Sequence, residues 1–404
     1  MNLLAGIRVL DLSRILAGPW CTQLLADYGA DVTKIERPGG GDDTRRWGPP
    51  FLAAANGEAV AAYFLACNRG KRSVALDFAK PEGQALLLRL ADAADVLVEN
   101  YLPGTLARYG LDYATLSARN QRLVYCSISG FGQSGTNAAR PGYDAMIQAE
   151  AGLMSLTGVA DGEPGAGPQK VGIAVSDLMC GMYAATAILA ALNARAATGR
   201  GTHLDLALFD CQVAWLANQG MNYLVGGAVP ERHGTAHPNI APYQMFASGD
   251  GHLMLAVGND AQFKRLCEVA GVAALADDAR FATNASRVAH RQELVERLQA
   301  AFATRTTAQW LTALAAAGVS AGPVNDLAQV FAHAQTRERG LAFDMPHPVL
   351  GPLPQIANPV RRDGVASCAN LAPPRLGEHT DEVLAALGVG DEERGRLRAN
   401  GVTG

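Results

Sequence analysis

Ile7-Arg8-Val9-Leu10-Asp11-Leu12, a turn through Ala17-Gly18-Pro19, a helical stretch from Cys21 to Asp27, and Ala30-Asp31-Val32-Thr33-Lys34-Ile35-Glu36 together decide the fold. The first and last runs are short, rich in aliphatic and β-branched residues, and bounded by turn residues. They read as strands joined by a helix, a β-α-β unit that favours a parallel sheet. The same alternation continues outward. Strands are expected at Ser73–Leu76, Asp95–Val98, Arg122–Ile128 and near His203–Leu208, with helices near Ala55–Leu65, at Pro81–Ala91 and at Cys211–Leu224. The expected fold class is α/β, with a doubly wound, Rossmann-like large domain. In such a sheet, ligand loops gather at the carboxyl ends of the strands.

Length and composition narrow the function. At 404 residues the chain exceeds what one hydrophobic core usually serves, so two domains are expected. With 49% hydrophobic and 18% charged residues it is globular, and a net charge of −4 argues against general nucleic-acid binding. Seven scattered cysteines form no CxxC pair, which points away from zinc ribbons and disulfide frameworks and toward a reducing, cytoplasmic setting. The N-terminus lacks a signal-peptide pattern. Leu178–Ala194 is too short and too rich in Ala and Gly for a membrane span.

Residues 1–224 are expected to form the large domain. The texture changes at Gly226-Gly227-Ala228-Val229-Pro230, and residues 225–330 read as a smaller α/β domain. Its strand is expected at Gly251–Val257 and its helices at Asp260–Ala270, Arg287–Phe302 and Thr307–Ala317. Residues 331–404 are expected to return and complete the large domain, through an irregular segment marked by Pro346-His347-Pro348 and Pro352-Leu353-Pro354. Two terminal helices follow, Asp381–Leu387 and Glu392–Ala399.

Val171-Gly172-Ile173-Ala174-Val175 reads as a buried strand that stops at Ser176-Asp177, and the apolar segment from Leu178 to Ala194 reads as a buried helix. Asp177 is the lone ionisable group at that junction, where a carboxylate costs several kcal/mol unless satisfied or protonated. Two readings stay open. Ser176 and Asp177 could cap the helix, or Asp177 could act as a nucleophile on an activated acyl group.

Other motifs exclude more than they assign. No GxGxxG, GxxxxGK[ST] or GxSxG pattern occurs, which removes the usual dinucleotide, P-loop and nucleophile-elbow readings. Ser129-Gly130-Phe131-Gly132 reads as a glycine loop near a ligand. Cys180 reads as a structural cysteine. His233 and His237 are four apart, but Gly234 and Pro238 oppose a helix and no further ligand completes a metal set, so no metal site is expected and a substrate loop or plain loop remains. Arg37, Arg45, Arg46, Arg69, Lys71, Arg72 and Arg108 fall at strand ends and loops. Singly they are solvated charges; together they could hold a polyphosphate.

Six pieces in order carry a resemblance: Asp31-Val32-Thr33-Lys34-Ile35-Glu36-Arg37-Pro38, Asn68-Arg69-Gly70-Lys71-Arg72-Ser73, Val98-Glu99-Asn100-Tyr101-Leu102-Pro103-Gly104, Arg140-Pro141-Gly142-Tyr143-Asp144, Ser176-Asp177-Leu178 and Pro374-Arg375-Leu376-Gly377-Glu378-His379-Thr380. The chain resembles the class III CoA-transferases over essentially its whole length. The resemblance implies that Asp177 attacks an acyl-CoA thioester and that the reaction passes through an aspartyl anhydride and an aspartyl-CoA thioester. It implies CoA contacts at Ile15, Leu16, Ala17, Arg37, Asn68, Arg69, Gly70, Lys71, Asn100, Tyr101 and Arg108, with coenzyme A thioester as substrate and no tightly bound cofactor. It also implies an interlocked homodimer, with no nucleic-acid or membrane partner. The loop Gly234-Thr235-Ala236-His237-Pro238-Asn239-Ile240 replaces the glycine run of formyl-CoA transferases, and Ser129 stands where that enzyme has a Lys. With Gly142-Tyr143-Asp144, Gln148 and Gly152-Leu153-Met154, the chain looks closer to family members that move CoA from succinyl-CoA to other dicarboxylates. Tyr143, His237 and Asn239 are the substrate contacts so implied. The racemases of the same fold carry a His where this chain has Tyr143, and a phenol with a pKa near 10 is a poor acid–base partner at an α-carbon.

Overall fold

The computed structural model describes residues 2–53 and 57–404. The described chain separates into two compact units. One takes in the residues up to Leu153, Lys170–Ala228 and Gln335–Gly404; the other takes in Met154–Gln169 and Val229–Ala334. The segment 154–169, expected within the first domain, therefore groups with the second unit.

The first unit is built on six strands: β1 (Arg8–Asp11), β2 (Asp31–Glu36), β3 (Lys71–Ala75), β4 (Val96–Glu99), β5 (Val124–Ser129) and β6 (His203–Ala207). Their order in the sheet is β3-β2-β1-β4-β5-β6, and all neighbours are parallel. This is the doubly wound order, in which the direction of winding reverses between β1 and β4. Alternation along the strands sends side chains to two layers. Val9, Val32, Val96, Val98, Val124, Cys126 and Ile128 join one core with α1 (Ala17–Asp27) and α2 (Val175–Thr198). Leu10, Ile35, Val74, Leu97 and Tyr125 join the other, where helix Pro81–Asp92 and the terminal helices Thr380–Ala386 and Asp391–Ala399 pack. The returning C-terminus thus covers one face of the sheet.

Several expectations change. Val171–Ala174 is not a strand; it is a loop, and the helix begins at Val175. That helix is 24 residues long and apolar enough to cross a membrane by length and composition, longer than the sequence suggests. In this unit it packs along α1, and Gly181 permits the approach: a Cβ there would sit 2.5 Å from the Ala17 carbonyl oxygen. The helix near Ala55–Leu65 shrinks to Ala62–Leu65; Ala55 lies outside the described residues, and Ala59–Ala61 is a strand paired with Phe51–Ala53. The proline-marked return segment is a regular hairpin, Ala342–His347 against Gly351–Ile356. The prolines fit because a two-stranded ribbon leaves edge positions that need no donor.

The second unit holds a three-stranded antiparallel sheet of Tyr243–Ala247, His252–Ala256 and Ser320–Pro323. Phe246, Phe263, Leu294, Phe302 and Trp310 fill its core. The single helix expected over Arg287–Phe302 is broken at His290 into Asn284–Ala289 and Arg291–Phe302.

Candidate active site

The crevice opens where β1 and β4 part. Beyond β1, Arg14 is held by its backbone: its N–H donates to Asn100 Oδ1 at 2.9 Å and its carbonyl accepts from Asn100 Nδ2 at 2.6 Å. The next residue, Ile15, has φ of +71°, a left-handed conformation that strains a β-branched residue. Its N–H is directed at the Asp42 carboxylate, 3.3 Å from each oxygen. Asp42 is in turn ion-paired at 3.0 Å with the fully buried Lys34, whose ammonium also donates to the Ser13 carbonyl at 2.8 Å. A buried charge network under the crevice therefore holds the strained turn. On the opposite wall the glycine loop after β5 closes tightly, since a Cβ on Gly130 would lie 2.7 Å from the Gly142 backbone. The result is a cavity of about 410 Å³, with Arg14, Ile15, Asn100, Tyr101, Tyr143 and Asp177 among its lining.

Asp177 occupies the third position of α2 and is half-buried. Among the described residues no hydrogen bond engages either of its carboxylate oxygens. Burial, and secondarily the charge of Asp144, raises its pKa from an ordinary carboxylate value to about 7. Of the two readings left open, the side-chain cap from Ser176 or Asp177 does not form; the cap comes from elsewhere. Ser176 Oγ donates to Gln212 Oε1 at 2.8 Å, and the helix N-cap residue, Ala174, has no side chain to offer. Asp144 does the capping from the helix Asp144–Glu150. Its Oδ1 accepts from the Ser176 N–H at 2.8 Å and, more weakly, from the Asp177 N–H at 3.4 Å. Gln148 then donates to Asp144 Oδ2 at 2.7 Å and accepts from the Val171 N–H at 2.9 Å. Tyr63 is close enough to feel this charge: burial first, then Asp177, pushes its phenol to about 12.

A strained turn, a parallel switch point and the Asp177 carboxylate meet at this cavity. The model of CoA-transferase family III matches residues 4–380. The chain belongs to that family. It is similar to the succinate–glutarate CoA-transferase of Agrobacterium fabrum, 48% identical over 385 residues that cover 95% of each chain. It is also similar to the succinyl-CoA:glutarate CoA-transferase of Mus musculus, 43% identical over 95% of this chain and 86% of the relative. A crystal structure of a CaiB/BaiF family protein from Brucella suis superposes with a TM-score of 0.84 at 48% identity, covering 96% of this chain and all of that one.

In this family III CoA-transferase the expected contact residues divide. Ile15, Leu16, Ala17, Asn100, Tyr101 and Tyr143 line the Asp177 cavity. Arg37 is exposed and lines a second cavity of about 230 Å³ with Arg14, Tyr101 and Tyr109. Arg108 is exposed on the short turn Leu106–Tyr109. The run Asn68–Lys71 is not among the lining of either cavity. Lys71 is fully buried, and its ammonium donates to Asp11 Oδ2, the Pro19 carbonyl and Asn68 Oδ1 at 3.1, 2.9 and 2.9 Å. All three of its protons are committed. Asn68 Nδ2 donates to the Phe64 carbonyl at 2.9 Å and to Cys67 Sγ at 3.4 Å. Arg69 grips Asp27 through Nε and Nη2 at 2.8 and 2.6 Å and reaches the Ile356 carbonyl at 2.8 Å. Gly70 is needed for packing, since a Cβ there would meet Ala369 at 2.5 Å. Arg69 and Gly70 thus fasten the returning segment to α1, while the Lys71 and Asn68 side chains are engaged within the unit.

In the second unit His237 stacks on Tyr243 at 5.3 Å, and its Nδ1 accepts from the Asn239 N–H at 3.1 Å. Burial, then the charge of Arg291, lowers its pKa from the ordinary imidazole value. No group of three or more metal-ligating side chains occurs among the described residues. Sequence reasoning missed Arg14, Tyr63, the Lys34–Asp42 pair and the role of Asp144. Only Asp144 left a signal, an Asp opening a helix with Gln four residues on, but the helix it caps is a different one.

Proposed function

We propose that Asp177 is the nucleophile of a CoA transfer from succinyl-CoA, or a similar acyl-CoA, to a dicarboxylate acceptor such as glutarate. One observation carries the reading: a carboxylate with no hydrogen-bond partner among the described residues opens on the switch-point cavity of a family III CoA-transferase. Its oxygen attacks the thioester carbonyl and CoA leaves as thiolate, giving an aspartyl–acyl anhydride. The thiolate attacks the aspartyl carbonyl and the donor acid departs as carboxylate, leaving an aspartyl-CoA thioester. The acceptor carboxylate attacks that thioester and the released thiolate takes the acceptor acyl group, which regenerates Asp177. A partly desolvated carboxylate is a stronger nucleophile than one in water, and covalent steps divide the barrier.

The exposed Arg37 and Arg108 suit CoA phosphates, and Arg14 brings positive charge to the Asp177 cavity for an anionic substrate group. Tyr143, His237 and Asn239 are proposed acceptor contacts. Homodimerisation is supported by the apolar face of helix Ala217–Gly226, where Leu224 and Val225 are 74% and 80% exposed. Cysteines that are all unpaired, and mostly buried, support a reducing, cytoplasmic setting.

Hydroxylamine added during turnover tests the mechanism. Wild type yields a hydroxamate at Asp177, located by mass spectrometry, and Asp177→Ala yields none while still binding CoA. Transfer by Asp177→Ala within about tenfold of wild type overturns the covalent role.

A further inference from the structure

We infer that Asp144 and Gln148 form a clamp that keeps Asp177 reactive, by occupying the amides at the start of α2 so that the Asp177 carboxylate is left facing the cavity. The inference rests on the reading of Asp177 as nucleophile. An Asp in the first turn of a helix ordinarily lies beside unpaired N–H groups, which attract it and lower its basicity. Here those amides are already taken. Asp144 Oδ1 accepts from Ser176 at 2.8 Å and Asp177 at 3.4 Å, and it does so from a separate helix. Gln148, buried, completes the clamp. Its Nε2 donates to Asp144 Oδ2 at 2.7 Å and to the Ile173 carbonyl at 3.3 Å, and its Oε1 accepts from Val171 at 2.9 Å. Two side chains one helical turn apart thus fix the loop 171–173 and the helix start together. This explains why Val171–Ala174 needs no strand partner: part of its backbone is satisfied by an amide side chain.

The clamp is also a charge. Asp144 is the negative group on the neighbouring helix that disfavours ionisation of Asp177. Among the described residues, the other titratable groups around Asp177 are Tyr101 and Tyr143 on the cavity lining and Tyr63 and Cys180, of which Tyr63 is pushed upward by burial and Cys180 by its hydrogen bond with Cys211 and then by burial. Arg14 is the cation on the cavity lining. Asp144 and Gln148 are positioning residues: Asp144 reaches Asp177 through its backbone N–H and by charge, and Gln148 acts through Asp144 and the loop.

Four variants separate clamp from scaffold. Asp144→Asn retains an acceptor oxygen but removes the charge, so the acid limb of the kcat/KM profile moves to lower pH. Asp144→Ala frees the amides; kcat falls at least 100-fold, while KM for the acyl-CoA changes less than about threefold. Gln148→Ala lowers kcat with the same KM split. The double variant Asp144→Asn with Gln148→Glu exchanges donor and acceptor between the two side chains, and it recovers at least tenfold of the kcat lost in Gln148→Ala. An acid limb unmoved in Asp144→Asn, or Asp144→Ala activity reduced only in proportion to its unfolded fraction, overturns the clamp. The hydroxylamine trap is run on each variant. A wild-type enzyme without an Asp177 hydroxamate sinks the nucleophile reading itself, whereas a hydroxamate with an unmoved limb sinks the clamp alone.

Discussion

Asp177 is kept where a carboxylate is least comfortable, and the discomfort is measurable. Its folded pKa is raised to about 7 from 3.8, by burial first and by Asp144 second. The carboxyl therefore holds its proton more tightly folded than unfolded. It favours the fold below about pH 4, and that contribution fades as pH rises through 7. Asp177→Asn removes the ionisation, so at pH 8 its Tm should exceed wild type by about 2–5 °C, a gap that closes near pH 4. Differential scanning calorimetry at the two pH values checks this; equal shifts at both would mean that the carboxylate is not desolvated. For catalysis the sign is opposite. The ionised form attacks, so transfer should decline as pH falls below about 7. Arg69 makes a second case. Sequence could show a basic loop before a strand, but the fate of a guanidinium depends on whether a carboxylate from elsewhere reaches it. Asp27 does, along with the Ile356 carbonyl of the return hairpin. Arg69→Ala should cost about 3–5 kcal/mol in urea unfolding, because it strands a buried charge. CoA affinity of the folded protein should remain within about threefold of wild type; a phosphate contact would reverse that pattern.

Among the elements, the parallel sheet was legible because its strands are short aliphatic runs set at regular intervals by helices. The strand order, and hence the switch point, was legible only as a class. The helix after Asp177 was legible from its unbroken apolar composition, while its true start was not. The run 171–175 has strand-like residues, yet its donors and acceptors find Gln148, and no local pattern encodes a bond across 23 residues. The strained turn at Ile15 was equally hidden, since only the buried Lys34–Asp42 pair makes that backbone conformation tolerable. The contact of α1 with α2 yields a sharper expectation. At Gly181 the two helices approach so closely that an added Cβ meets the Ala17 carbonyl at 2.5 Å and Trp20 Cδ1 at 3.2 Å. Backbone cannot swing aside as a side chain does. Gly181→Ala should destabilise by about 1–3 kcal/mol and shift α1. Because Ala17 and Leu16 also line the Asp177 cavity, KM for the acyl-CoA should rise as well. Unchanged stability and KM would show that the helices slide apart freely.

At the scale of the whole molecule the question is what covers the apolar surface of the first unit. Helix α2 exposes Met182 and Tyr183, and helix Ala217–Gly226 exposes Met221, Tyr223, Leu224 and Val225. Single exposed apolar residues are ordinary, but several large ones on two helices of one unit point to an interaction surface. The same α2 that presents Asp177 at its first turn carries Met182 and Tyr183 about one and a half turns further on, so a partner seated there would bear on the helix of Asp177. Replacing Leu224 and Val225 together by Glu distinguishes a bare face from an interface. On a bare face, two charged side chains in water change stability by only about 0.5 kcal/mol each. In a homodimer interface the same change places four carboxylates, two from each subunit, in one apolar contact, where they cannot remain ionised without water. Sedimentation velocity should then show wild type as a dimer and the double variant as a monomer, with transfer activity lost in parallel. A double variant that sediments and transfers as wild type does would free α2 from any dependence on a second copy of the chain.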